Sequence, residues 1–162
     1  MISIREAREG DLERINDIYT QAVLRGTATF DTAPKTLEER KTWFAHHGAA
    51  HPVLVAEENG NIYGWASLSR WSDRSAYDRT VENSVYIAEE CRGRGIGRQL
   101  LRKLISLARR LGHHAVIARI TQDNPASMRI HEAAGFFLIG TMKEVGVKFG
   151  RVLDVIILEL LL

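Results

Sequence analysis

Apolar residues recur at Leu12, Ile15, Ile18, Tyr19, Ala22 and Val23, the three-and-four spacing that gathers one stripe on one face of a helix. Asp11 stands where a cap is needed, so a first helix is predicted to start there. Thr36-Leu37-Glu38-Glu39 has the capping-box pattern, in which the Thr36 hydroxyl and the Glu39 carboxylate each satisfy a backbone N–H that the first turn leaves free. A second helix is predicted from Leu37 to His46. Ile96, Leu100, Leu101, Leu104, Ala108 and Leu111 mark a long third helix, with Gly112 placed to end it. A short fourth, Ala126 to Ala134, follows Asn124-Pro125, with Asn at the cap, Pro in the first turn and Gly135 beyond the last.

Between these segments the period changes from 3.6 to 2. Ile2 and Ile4 alternate with Ser3 and Arg5 as in a half-buried strand. Pro52 to Ala56 and Ile62 to Leu68 flank Glu58-Asn59-Gly60-Asn61, and Asn-Gly is the preferred chemistry of a tight hairpin turn. Thr80 to Ala88 sets Val81, Asn83, Val85 and Ile87 on one face against Glu82, Ser84 and Tyr86 on the other. Ala115 to Ile120 is a further strand, and Phe136 to Val147 and Val152 to Leu162 are two more, joined by Lys148-Phe149-Gly150-Arg151. The order β, α, α, β, β, β, α, β, α, β, β mixes an antiparallel front with a crossover-linked back. The predicted class is α/β, a mixed central sheet flanked by helices.

The 162 residues fit one domain, 1–162, and 45% hydrophobic with 26% charged residues is ordinary for a globular chain. Val152 to Leu162, the longest apolar run, is broken by Asp154 and Glu159 and falls short of the ~20 residues of a membrane span. The N-terminus has no basic segment followed by a long apolar one, so no signal or transit peptide is read there and the expected location is the cytoplasm. A single cysteine, Cys91, agrees with a reducing compartment. The net charge of +2 does not point to a nucleic-acid partner. Arg92 to Arg110 nonetheless holds seven basic residues and no acidic one. Its arginines alternate with the helix's apolar stripe and lack interleaved aromatics, so a phosphate-facing patch is expected there and not a nucleic-acid platform.

Val85-Tyr86-Ile87 leads through Ala88-Glu89-Glu90-Cys91 into Arg92-Gly93-Arg94-Gly95-Ile96-Gly97-Arg98, which is a strand, a glycine-rich turn and a helix start in succession. Successive N–H groups in such a turn form a concave nest, the helix start adds partial positive charge, and Arg92, Arg94 and Arg98 add full charges, so a pyrophosphate suits it. No Gly-Lys-Ser/Thr follows for a nucleoside triphosphate, and a dinucleotide fold's acidic residue ~20 positions on is missing.

What the segment does resemble, as Arg/Gln-x-x-Gly-x-Gly/Ala, is the acetyl-CoA pyrophosphate loop of the GNAT superfamily of N-acetyltransferases. Asn124-Pro125-Ala126-Ser127 through His131 to Gly135-Phe136 resembles that superfamily's second signature, and the likeness runs from Arg5-Glu6-Ala7 to the last strand. Within the superfamily, Ala76-Tyr77-Asp78-Arg79-Thr80-Val81-Glu82-Asn83-Ser84-Val85-Tyr86-Ile87, Val145 to Arg151, and Thr29-Phe30-Asp31-x-x-Pro34 followed by Arg40-x-x-Trp43-Phe44 look like the phosphinothricin / methionine sulfoximine acetyltransferases. Val152 departs from the group, which commonly has Trp there.

The resemblance implies acetyl-CoA as cosubstrate and direct acetylation of the α-amine of a small amino acid or analogue. Val85, Tyr86 and Ile87 would align the pantetheine, Gly93, Gly95, Ile96, Gly97 and the three arginines would hold the pyrophosphate, and Asn124 and Ser127 would meet the arm. Glu82 is the candidate base for the ammonium, against a plain surface-strand carboxylate. His131 takes the place where the superfamily often has a tyrosine acid, against a packing role. Arg74 and Tyr77 sit in the loop where acceptor recognition is implied, with Phe30 a possible pocket wall. Cys91 as an acyl carrier is the lesser reading beside direct transfer. His46, His47 and His51 have no accompanying carboxylate or Cys at ligand spacing, so they are read as surface residues and no metal is expected. The expected partners are a small-molecule substrate and a second copy in a homodimer, with no nucleic acid or membrane. A protein N-terminus, a ribosomal protein or a polyamine as acceptor, or a non-catalytic CoA sensor, remain the alternatives.

Overall fold

A computed structural model describes residues 1–162. Its seven strands are β1 Ser3–Glu6, β2 Val53–Glu58, β3 Asn61–Arg70, β4 Thr80–Ile87, β5 Ala115–Thr121, β6 Phe137–Lys148 and β7 Arg151–Leu161. Its four α-helices are α1 Leu12–Arg25, α2 Leu37–Ala45, α3 Ile96–Arg110 and α4 Pro125–Glu132. The strands form one sheet in the order β1-β2-β3-β4-β5-β7-β6. Only the β4–β5 pair is parallel, since α3 returns the chain to the same end before β5 begins. No helix is long and apolar enough to cross a membrane.

The stripes become the core. Leu12, Ile15, Ile18, Ala22 and Val23 of α1, and Ile96, Leu100, Leu101, Leu104, Ile105 and Ala108 of α3, are all buried. Helices α1 and α2 cover the sheet face that carries Trp65 and Tyr86, which pack against Tyr19 and Trp43. Helices α3 and α4 cover the opposite face, where Ile87 meets Gly97 and Asn83 meets His131. The Asn59-Gly60 turn joins β2 to β3, and the Thr36–Glu39 capping box opens α2 with both of its reciprocal bonds.

Asp11 does not cap α1. A 3-10 turn, Glu9–Asp11, precedes the helix, and the Asp11 carboxylate accepts from Arg8 N–H at 2.7 Å and from both Nη groups of Arg5 at 2.7 and 3.0 Å. A bidentate guanidinium is a stronger partner than a neutral backbone amide, so the carboxylate ties β1 to the helix start. His47 is also not a surface residue. It is half-buried at the end of α2, with Nδ1 2.8 Å from Trp43 O and Nε2 3.3 Å from Ser69 Oγ, and burial lowers its pKa.

Candidate active site

Strands β4 and β5 pair only at Thr80–Ala115, Val81–Val116 and Glu82–Ile117. From Asn83 to Ile87 the edge of β4 that faces β5 therefore has no strand partner, and its polar backbone groups open onto a cleft. A cavity of about 590 Å³ fills the divergence. Glu82, Val85, Tyr86, Asn124, Ser127, His131 and Phe30, all named from sequence, line it together with Asn83 and Ser84.

Glu82 lies at the fork, paired with Ser69 on β3 and with its side chain only 19% exposed. Both its oxygens accept from Arg119, at 2.6 Å from Nε and 2.8 Å from Nη2. This fork-to-fork pair fixes the carboxylate's orientation and leaves its remaining lone pairs toward the cavity. Arg119 was not legible as a site residue, though it is the lone charge in the otherwise apolar run of β5 and lies two residues beyond Glu82's partner Ile117. The carboxylate raises the Arg119 pKa, so the guanidinium stays charged.

His131 is 2% exposed and has a partner on each ring nitrogen. Nδ1 is 2.8 Å from Ser127 O and Nε2 is 2.9 Å from Asn83 Nδ2. A carbonyl can only accept, so Nδ1 carries the proton and donates to it; Nε2 then accepts from the Asn83 amide. Burial lowers the His131 pKa, partly offset by the Ser127 carbonyl, and the ring is neutral at pH 7. Its one N–H points back into α4.

A second cavity, about 600 Å³, runs from Val85, Tyr86 and Ile87 to the start of α3 and shares Thr27, Ala28, Val85, Tyr86, Asn124 and Ser127 with the first. Gly93 and Gly95 both have positive φ, 77° and 75°, and a Cβ on either would project into open space. Glycine suits the left-handed backbone at both positions, and the absence of side chains there leaves the loop open to close approach by an anion. Arg92 and Arg98 line the second cavity, joined by Arg25, Arg129 and Arg151 with Asp123 as the one acid. This cationic lining and the free edge of β4 fit a phosphate-bearing ligand with a long amide arm. Asn124 caps α4 through Ser127 N–H at 3.2 Å.

Arg94 does not belong to this lining. It turns toward β2 and β3, with its guanidinium 3.8 Å from Glu58 and 5.2 Å from the Tyr63 ring centroid, because a carboxylate and an aromatic face lie on that side of the loop. Cys91 is buried beside the anion nest and lines none of the Glu82 cavity.

A third cavity, about 430 Å³, shares Ser69, Ser84 and Tyr86 with the first and lies beneath α2. Tyr86 is thus common to all three. Burial pushes the phenols of Tyr86 and Tyr19 up, Tyr19 to about 12, so both remain protonated. Phe30 walls the first cavity with its ring against Gly146, where a Cβ would overlap it. Arg74 and Tyr77 are not brought to the site: both sit on an exposed turn after β3 and line none of the three cavities. Nothing apolar in Ser72-Asp73-Arg74-Ser75 holds that turn against the sheet.

Comparison with known proteins identifies the family. The family described as Acetyltransferase (GNAT) domain matches residues 4–157. The chain is 41% identical over 160 residues, 98% of its own length and 94% of the other's, to an L-methionine sulfoximine/L-methionine sulfone acetyltransferase from Salmonella typhimurium. A phosphinothricin acetyltransferase from Sinorhizobium meliloti, solved in complex with AcCoA, superposes with a TM-score of 0.96 at 38% identity, covering 99% of this chain and 88% of that one. A ribosomal-protein-alanine N-acetyltransferase from Brucella melitensis gives a TM-score of 0.96 at 40% identity over 99% of each chain. The match along nearly the whole chain, on a sheet split at β4 and β5 beside a glycine nest, means that it belongs to the GNAT acetyltransferase family and is an acetyl-CoA-dependent N-acetyltransferase.

Proposed function

We propose that the protein acetylates the α-amine of a small amino acid or analogue of the methionine sulfoximine, methionine sulfone or phosphinothricin type, with Glu82 as the base. The observation that carries this reading is the Glu82 carboxylate, oriented by Arg119 at the mouth of the β4–β5 split and lining the same cavity as the free edge of β4. The Salmonella and Sinorhizobium relatives named above support the acceptor class.

Acetyl-CoA supplies the acetyl group as a thioester, whose carbon is attacked by a neutral amine. The nest of Gly93 and Gly95, with Arg92 and Arg98, holds the phosphates. Free N–H groups on the edge of β4 align the arm and polarise the carbonyl. Glu82 takes the proton from the ammonium, directly or through one water, and the acetyl passes to nitrogen without an enzyme-bound acyl group. Cys91, buried by the nest and absent from the Glu82 cavity, has no part in transfer. His131, neutral and donating into α4, positions Asn83 beneath the cleft and is not the proton donor to the departing thiolate; a thiolate is a good enough leaving group to go without one.

The free Cys91 supports a cytoplasmic location. A homodimer formed through the outer hairpin is supported by exposed Phe137, Leu138, Ile139, Val147 and Val152 on β6 and β7, an apolar edge that a partner strand or face would cover. The Brucella relative favours a ribosomal-protein N-terminus as the second reading. Thiol release measured over a panel of L-methionine sulfoximine, L-methionine sulfone, phosphinothricin, spermidine and an alanine-initiated peptide separates them. The three amino acids should be the best acceptors; spermidine or the peptide outpacing them would overturn the assignment.

A further inference from the structure

Arg40 is a charged residue without a counter-ion in the interior of the protein. It is 4% exposed, and its only side-chain hydrogen bond runs from Nε to Asn16 Oδ1 at 3.2 Å. Its guanidinium carbon lies 4.6 Å from the ring centroids of Tyr19 and Trp43 and 5.7 Å from that of Trp65. Neither Nη group has a protein acceptor, and no carboxylate is within salt-bridge distance. Asp31 borders the same cavity, but it already accepts from Tyr19 Oη at 2.7 Å and sits 3.5 Å from Lys35 Nζ. Glu39, also on the cavity wall, is held by Thr36 N–H. The indole Nε1 of Trp65 is buried and has no partner either.

Buried donors in folded proteins are nearly always satisfied, and an unpaired buried cation is the costliest exception. An unpaired cation on the wall of a cavity that shares Ser69, Ser84 and Tyr86 with the cavity of Glu82 calls for an acceptor that arrives with a ligand. Arg119 is not equivalent, since Glu82 already occupies it. Arg74 is exposed and off the cavities.

We propose that Arg40 is the specificity-determining site for an oxygen-bearing group of the acceptor, either its α-carboxylate or the sulfoximine, sulfone or phosphinate head of its side chain. The proposal rests on the amino-acid reading above and adds to it the residue that reads the acceptor. The rings of Tyr19, Trp43 and Trp65 lower the local dielectric around the guanidinium, so its hydrogen bonds to an anionic or strongly accepting oxygen are strengthened. A planar fork over aromatic faces selects such a group over a methyl or an ammonium.

Steady-state kinetics of the parent, Arg40→Gln and Arg74→Ala should be taken on three acceptors: L-methionine sulfoximine, the corresponding amine without the carboxylate, and L-norleucine, which keeps the carboxylate and lacks the head. Arg40→Gln should raise KM for methionine sulfoximine about 10- to 100-fold, the loss of one charge-assisted contact, with kcat changed far less. A parallel rise for norleucine assigns the carboxylate to Arg40; an unchanged norleucine KM assigns the side-chain head. Trp43 and Trp65 flank the guanidinium, so methylphosphinate should change the parent's tryptophan fluorescence saturably, and Arg40→Gln should abolish that change without acetyl-CoA or turnover. An Arg40→Gln enzyme with melting temperature lowered but KM within threefold of the parent, or an Arg74→Ala enzyme that carries the KM effect instead, overturns the proposal. So does the absence of any methylphosphinate response in the parent. Failure of the parent to acetylate any of the amino acids overturns the acceptor reading, and the fluorescence titration then decides Arg40 separately.

Discussion

Gly95→Asp places a carboxylate in the hollow where a pyrophosphate is read to sit. Gly95 has φ 75° and ψ 7°, directly precedes α3, and has no heavy atom within 4 Å of where its Cβ would stand. The substitution therefore meets no steric obstacle. A left-handed conformation costs an L-residue about 1–2 kcal/mol, the lower end for Asp and Asn, which corresponds to a melting temperature about 2–4 °C lower in a chain of this size. Ligand binding should suffer more. One negative charge about 6 Å from two on the pyrophosphate is repelled by about 1.4 kcal/mol at the dielectric constant of water and about 2.8 kcal/mol at half that value, or roughly 10- to 100-fold in Kd. Gly95→Asn has the same shape and backbone strain without the charge, so its difference from Gly95→Asp isolates the electrostatic part. Calorimetric titration of acetyl-CoA into the three folded proteins measures it, and added salt should narrow the gap. If the Asp and Asn variants bind within threefold of each other and of the parent, the phosphates do not lie on this nest.

Stability should fall on the acid side of neutrality. The folded pKa of His131 is below its ordinary value of about 6.5, so its contribution is fully present above that pH and is lost as the pH falls; His131→Gln, which cannot charge, should flatten the change in urea midpoint between pH 7 and 5. The same variant should keep kcat within about tenfold of the parent, whereas a general acid would cost about 10²–10⁴. Asp11, whose pKa is lowered first by the Arg5 hydrogen bond, adds a loss at still lower pH, and Asp11→Asn should cost about 1.5–3 kcal/mol in chemical denaturation at pH 7. No such cost would mean that the β1 tie contributes nothing net.

The parts legible in sequence are those written by local chemistry. The Asn59-Gly60 turn, the Thr36–Glu39 box, the stripes of α1 and α3 and the glycine nest all depend on residues within a few positions of one another. Glu82, Tyr86, Asn124, Ser127 and His131 were found by motif and do share one cavity. What escaped was decided by partners far along the chain. Arg94 and Arg92 look alike in the loop, and only Glu58 and Tyr63 on the neighbouring hairpin turn Arg94 away. Asp11 has the form of a cap until Arg5 on β1 claims it. Arg40 is on a short helix with no apolar stripe, so nothing local marks it as buried; Tyr19 and Trp65 come from α1 and β3. Arg74 reads as a guanidinium suited to an acidic acceptor, yet its turn lies outside the cavities.

Glu82→Gln tests the central claim, that proton removal at the β4–β5 fork drives acetyl transfer. The amide is nearly isosteric and keeps one oxygen for Arg119, so the fork and the nest should persist. Turnover of L-methionine sulfoximine, followed by CoA release across pH 6–9 with the calorimetric Kd for acetyl-CoA alongside, is the measurement. A fall of about 10²–10⁴ in kcat with an acetyl-CoA Kd within about twofold of the parent is the predicted result. Unchanged turnover and an unchanged pH–rate profile would show that Glu82 is not the base.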